Sequence, residues 1–158
     1  MKFFEDVQTG DTADLGSYTF TPDAIRAFAS QFDPQPFHLD EEAAKASHFG
    51  GLIASGWHVS AIWMKLMIAH SDRLAEEARS AGLPVAQLGP SPGFRDLAWL
   101  QPVRAGDTLR YVWETTGTRS SASRPGWGIV TMRNRAFNQA DALAFQFDGA
   151  VFWQMRPA

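Results

Sequence analysis

The stretch SGWHVSAIWMKLMIAHSDRLAEEAR, residues 55–79, decides how this chain folds. Ser55 is a suitable helix cap. Trp57, Ala61, Met64 and Ile68 recur at helical spacing on one face, and Val59, Ile62, Trp63, Leu66 and Met67 cover most of the rest. A helix apolar nearly all round is a buried one. Its tail, Ser71 to Arg79, is polar and is expected to emerge into solvent, with Gly82 and Pro84 ending it. The most apolar run, Leu52 to Ala69, contains Ser55, Gly56, His58, Ser60 and Lys65, which make it too polar for a membrane span.

Upstream of this helix, Tyr18 and Phe20 alternate with smaller residues from Leu15 to Phe20, a strand pattern. Thr21 as cap, Pro22 at the first helical position and Asp23 in the first turn start a helix. Ile25, Phe28, Ala29 and Phe32 form its apolar face. It must stop near Asp33, because Pro34 disfavours helical geometry at the residue before it. Asp33-Pro34-Gln35-Pro36-Phe37-His38 then reads as a loop stiffened by two fixed φ angles. Asp40 is placed to cap a short helix over 41–47, and Gly50-Gly51 breaks the chain before the long helix.

Downstream, residues 83–93 hold Pro84, Pro90 and Pro92 and read as a loop. Period-two patterns follow over 93–100, 108–118, 128–138 and 142–155, separated by turn signals. Short connections favour an antiparallel meander. Helices first and strands afterwards, around one buried helix, predict an α+β domain with the sheet wrapped on that helix.

The chain has 158 residues, enough for one domain with a full core. It has no cysteine, which removes disulfides, thiolate nucleophiles and zinc–thiolate sites. Fourteen basic residues face seventeen acidic ones, so the basic excess of a nucleic-acid binder is absent. Met1-Lys2-Phe3-Phe4-Glu5-Asp6 carries acids where a signal peptide needs a basic start and an apolar run, so a cytoplasmic protein is expected. Twelve Phe, six Trp and two Tyr predict a large apolar interior or interface.

Two segments carry candidate chemistry. Asp33 and His38 lie five apart on the stiff loop, and a carboxylate held beside an imidazole is a general acid–base pair. On spacing alone the plainer reading is the stronger: Asp33 caps a helix and His38 is a loop residue. Ser55-Gly56-Trp57-His58 opens the long helix, where the first amides lack internal partners and carry partial positive charge. The Gly56 N–H is thus suited to bind an oxygen that becomes negative during reaction. The plainer alternative is Ser55 as a cap and Gly56 as a packing residue.

Together, Ala29-Ser30-Gln31-Phe32-Asp33-Pro34-Gln35-Pro36-Phe37-His38-Leu39-Asp40 and Ile53-Ala54-Ser55-Gly56-Trp57-His58 resemble the MaoC-like dehydratase family, which includes the (R)-specific enoyl-CoA hydratases. The stretch Leu97 to Leu109, with Pro102-Val103-Arg104-Ala105-Gly106-Asp107, is similar to the same family. The resemblance implies a hot-dog fold, one long helix wrapped by an antiparallel sheet, in a homodimer or a dimer of dimers. It implies Asp33 and His38 as the catalytic pair and Gly56 as the donor to the thioester carbonyl. The implied reaction interconverts trans-2-enoyl and (3R)-hydroxyacyl thioesters, with coenzyme A as part of the substrate or with an acyl carrier, and no other cofactor. The family's helix often begins His-Gly, whereas here it begins Ser55-Gly56.

Ser55, His58, Pro36 and Phe37 are further candidates for lining such a site, with packing the favoured role for His58. Phe3, Phe4, Phe37 and Phe49 suit an acyl pocket or, more simply, the core. No two of His38, His48, His58 and His70 have helical ligand spacing, so no metal site is expected. Two other functions fit the implied fold: an acyl-CoA thioesterase, and a non-catalytic acyl-thioester-binding subunit.

Overall fold

The computed structural model describes residues 1–157. After a 3-10 turn at Phe4–Asp6 come β1 (Thr12–Thr19), α1 (Pro22–Phe32), the one-turn α2 (Pro36–Leu39), α3 (Glu41–Ala46) and α4 (Gly56–Ser80). The strands β2 (Gly93–Trp99), β3 (Thr108–Ser120), β4 (Trp127–Phe137) and β5 (Leu143–Gln154) complete the chain.

The five strands form one antiparallel sheet in the order β1-β3-β4-β5-β2. The expected meander holds for β3, β4 and β5. It does not extend to β2, which precedes β3 in the chain yet lies at the far edge beside β5. The helical segment between β1 and β2, with the loop after it, carries the chain across the sheet and leaves β1 at the opposite edge.

Local signals explain the helix ends. Thr21 accepts a hydrogen bond from the Ala24 N–H, with Pro22 behind it. Asp40 does the same for Ala43 at the start of α3. At the end of α4 the Leu83 N–H reaches the Ala78 carbonyl and the Gly82 N–H reaches Arg79, with Gly82 at φ +67°. That pairing is a Schellman cap, and glycine suits its left-handed position.

The sheet packs its inner face on α4, the hot-dog arrangement. The fully buried Tyr111 donates its hydroxyl to the Val59 carbonyl, and the Trp63 indole N–H donates to Asn134 Oδ1 at 3.0 Å. The expectation of a helix enclosed on all sides is corrected. α4 buries His58, Val59, Ile62, Met67 and Ala75, while Trp57, Met64 and Ile68 stand half exposed. A single sheet covers only one side of a helix. Phe32 is likewise exposed, although Ile25 and Ala29 of its predicted stripe are fully buried.

Candidate functional site

The site forms where the start of α4 meets the α1–α2 connection. Asp33 ends α1 with φ −154° and ψ 69°, and Pro34 forbids a further helical turn. Pro36 then starts the one-turn α2, so His38 lies on a helical turn and not in the open loop the sequence suggested. This turn brings His38 back to Asp33, with Nε2 3.3 Å from Asp33 Oδ2.

His38 is 4% exposed, and both its ring nitrogens face oxygen. Nδ1 lies 2.8 Å from the Ile53 carbonyl, an acceptor, so that nitrogen carries a proton and donates it. Ile53 is fixed in turn: Ala54 N–H donates to Val103, Ala105 N–H donates to Leu52, and Ile53 bridges Arg104. The stretch Pro102–Gly106 is therefore the backbone support of the histidine. With Nδ1 committed, Nε2 is the nitrogen free to exchange a proton with Asp33 or with a molecule in the cleft beside them.

Asp33 Oδ1 accepts from the Gln35 side-chain amide at 2.8 Å. Burial works to raise the Asp33 pKa. Hydrogen bonds from Ser55 and Gln35 and the neighbouring His38 outweigh it, and the carboxyl sits below its ordinary value. Ser55 is 1% exposed and works in two directions, since its oxygen also accepts the Trp57 N–H as the cap of α4. Gly56 is the first residue of the 25-residue helix, so its N–H stands outside the helical ladder at the positive end of the dipole.

A cleft of about 440 Å³ joins these groups. Asp33, His38 and Gly56 line it together with Gln35, Phe37, Phe49, Ile53, Trp57 and Trp99. The wall is largely apolar and the few polar groups converge, the usual make-up of a small-molecule site. Phe37 and Phe49 face this cleft, while Phe3 and Phe4 pack with the core. Pro36 is exposed and shapes the turn without lining the cleft.

His58 also stays out of the cleft. It stacks on Phe28 at 4.6 Å with an interplanar angle of 4°, with Phe20 and Tyr18 edge-on. Among the described residues its Nδ1 has no hydrogen-bond partner, and burial pushes its pKa down to about 4. Gln35 and Trp99 are cleft residues to which the sequence reading gave no role. The Pro34–Pro36 spacing could have pointed to Gln35, whereas nothing in the sequence links Trp99 to Gly56.

Fold and site together define a hot-dog domain with a buried imidazole and a partly buried carboxylate paired beside a helix N-terminus. The MaoC like domain pattern matches residues 5–133, and the chain belongs to that family. It is similar to the MaoC-like dehydratase from Rhodospirillum rubrum, with 40% identity, a TM-score of 0.82 and full coverage of both chains. It is 30% identical over 135 residues to the uncharacterized protein YdeM of Bacillus subtilis (strain 168), covering 85% of this chain and 86% of the relative. The fold also matches the (R)-hydratase from A. caviae involved in PHA biosynthesis, with 24% identity, a TM-score of 0.67 and coverage of 96% and 99%. Among the described residues no helix is long and apolar enough to cross a membrane.

Proposed function

We propose that the protein is an acyl-thioester hydratase or dehydratase that interconverts trans-2-enoyl and (3R)-hydroxyacyl thioesters. The observation that carries this reading is the 3.3 Å approach of His38 Nε2 to Asp33 Oδ2 in a cleft that Gly56 also lines. Membership of the MaoC-like family supports it.

In the hydration direction, water is held in the cleft beside both Asp33 and His38. Its oxygen bonds to C3 of the enoyl group as one of its protons passes to the pair. The C2=C3 electrons move toward the thioester, and negative charge builds on the carbonyl oxygen. The Gly56 N–H and the positive end of α4 stabilise that charge; one such donor contributes about 3–4 kcal/mol of barrier lowering. The proton then returns to C2, so that H and OH have added across the double bond. Dehydration is the same path reversed. Asp33 is a carboxylate at neutral pH, an acceptor for the water, and its surroundings lower its pKa further rather than raise it.

The test follows loss of enoyl absorbance with crotonyl-CoA for the wild type, Asp33→Asn and His38→Ala. Turnover by the wild type and a loss of about 10²–10⁴-fold in each variant are expected, the range for a positioned acid–base group. Absence of turnover by the wild type at every chain length defeats the reading, and release of free thiol instead points to thioester hydrolysis.

A further inference from the structure

Gly56 is a glycine for a reason its backbone does not supply. It sits in the first turn of α4 and is absent from the positive-φ positions of the chain. The space beside it supplies the reason. A Cβ on Gly56 would lie 2.5 Å from Cε2, 2.6 Å from Cδ2 and 3.0 Å from Cγ of Trp99. The indole therefore lies flat against the Gly56 α-carbon, beside the amide assigned to the thioester carbonyl.

An irregularity in β2 puts the indole there. Phe94 pairs with Gly149 and Trp99 pairs with Phe145, both on the inward-facing series of β5. Residues 94 and 99 are five apart, and in a regular strand they would point to opposite faces. The register shifts by one residue between Arg95 and Ala98, where Asp96 adopts φ +56°. This bulge turns Trp99 inward, over α4. There it meets Trp57 edge-on at 5.1 Å, and it still keeps 42% of its surface exposed at the cleft mouth.

We propose that Trp99 is a specificity-determining residue, a rigid wall that limits the bulk of the acyl group placed beside the Gly56 amide. The proposal rests on reading the cleft as an acyl-thioester site. A flat, unbranched enoyl group passes along the face of the ring, whereas an acyl group branched near the thioester meets it.

The experiment compares kcat/KM for crotonyl-CoA with that for its 2-methyl-branched counterpart in the wild type, Trp99→Ala, Trp99→Phe, Gly56→Ala and the Gly56→Ala/Trp99→Ala double variant. Trp99→Ala is expected to raise the branched-to-unbranched ratio about tenfold or more, the scale on which one methyl group is discriminated in a pocket. Trp99→Phe should raise it less, and it keeps an aromatic ring should the alanine variant fail to fold. Gly56→Ala should lose crotonyl turnover, and the double variant should recover about tenfold of that loss. An unchanged ratio in both Trp99 variants overturns the assignment, as does a double variant no better than Gly56→Ala. If the wild type is silent on both, the comparison is run at the chain length it turns over; a wild type silent at every chain length defeats the acyl-thioester reading itself, and the proposal falls with it.

Discussion

His38 and His58 are equally hidden, each 4% exposed, yet their surroundings differ in kind. His38 has an oxygen against each ring nitrogen and a cleft beside it. His58 is packed among Phe20, Phe28 and Tyr18 and leaves Nδ1 without a partner. Burial alone thus says little about a histidine's function. The partners decide, because hydrogen bonds fix a tautomer and a direction for proton transfer, whereas aromatic faces only exclude charge.

The sharpest test of this contrast is activity. His38→Ala should lose hydration activity by about 10²–10⁴-fold, while His58→Leu should stay within about twofold of the wild type, since His58 lies outside the cleft. Comparable losses at the two positions, measured as crotonyl-CoA turnover, would erase the distinction.

Stability against pH should reverse the ranking. The folded pKa of His58 is about 4, below the ordinary 6.5, so between these values the unfolded chain binds the extra proton. The stability conferred by keeping His58 neutral is full above pH 6.5 and is lost as pH falls to about 4. The loss is about 3 kcal/mol at most, at 1.36 kcal/mol per pKa unit. The lowered carboxylates Asp6, Asp11, Asp33 and Asp148 titrate below 3.8, beneath this window, whereas His70, which burial also lowers from 6.5, adds a loss of the same sign within it that His58→Leu leaves in place. Denaturant unfolding at pH 7 and pH 4.5 should show a much smaller difference in His58→Leu than in the wild type. An equal difference would mean that another group causes the acid sensitivity.

Ser55→Ala probes the link between the two environments at the start of α4. It removes a helix cap, for about 1 kcal/mol of stability. It also removes one of the hydrogen bonds that hold Asp33 low. The acid limb of the activity profile should therefore move to higher pH, a change that a purely structural cap would not cause. The smallest effect is expected at Arg73→Ala. Arg73 and Glu77 form an exposed pair four residues apart on α4, and its loss should change stability by less than about 0.5 kcal/mol.

Much of the fold was legible in the sequence. The ends of the long helix are legible to within a residue, because Ser55 and Gly82 are local signals that act within a turn. The four later strands were read nearly to their limits from period-two patterns. Their order was not, since β2 beside β5 depends on where the chain crosses the sheet and leaves no local trace. The exposed face of α4 is not legible for a related reason. Apolarity marks what a helix can bury, and a single sheet determines which side it does bury.

The candidate site divides in the same way. The sequence by itself determined the chemical types and the stiff proline frame at Asp33, His38 and Gly56, because these depend on residue identity and fixed φ angles. Only the tertiary structure decided the rest: that Ile53 fixes the His38 tautomer, that Ser55 and Gln35 lower the Asp33 pKa, that His58 turns away, and that Trp99 lies on Gly56. Each of these is a contact through space between segments far apart in the chain or aimed by strand register, and side-chain direction across such contacts is set by packing.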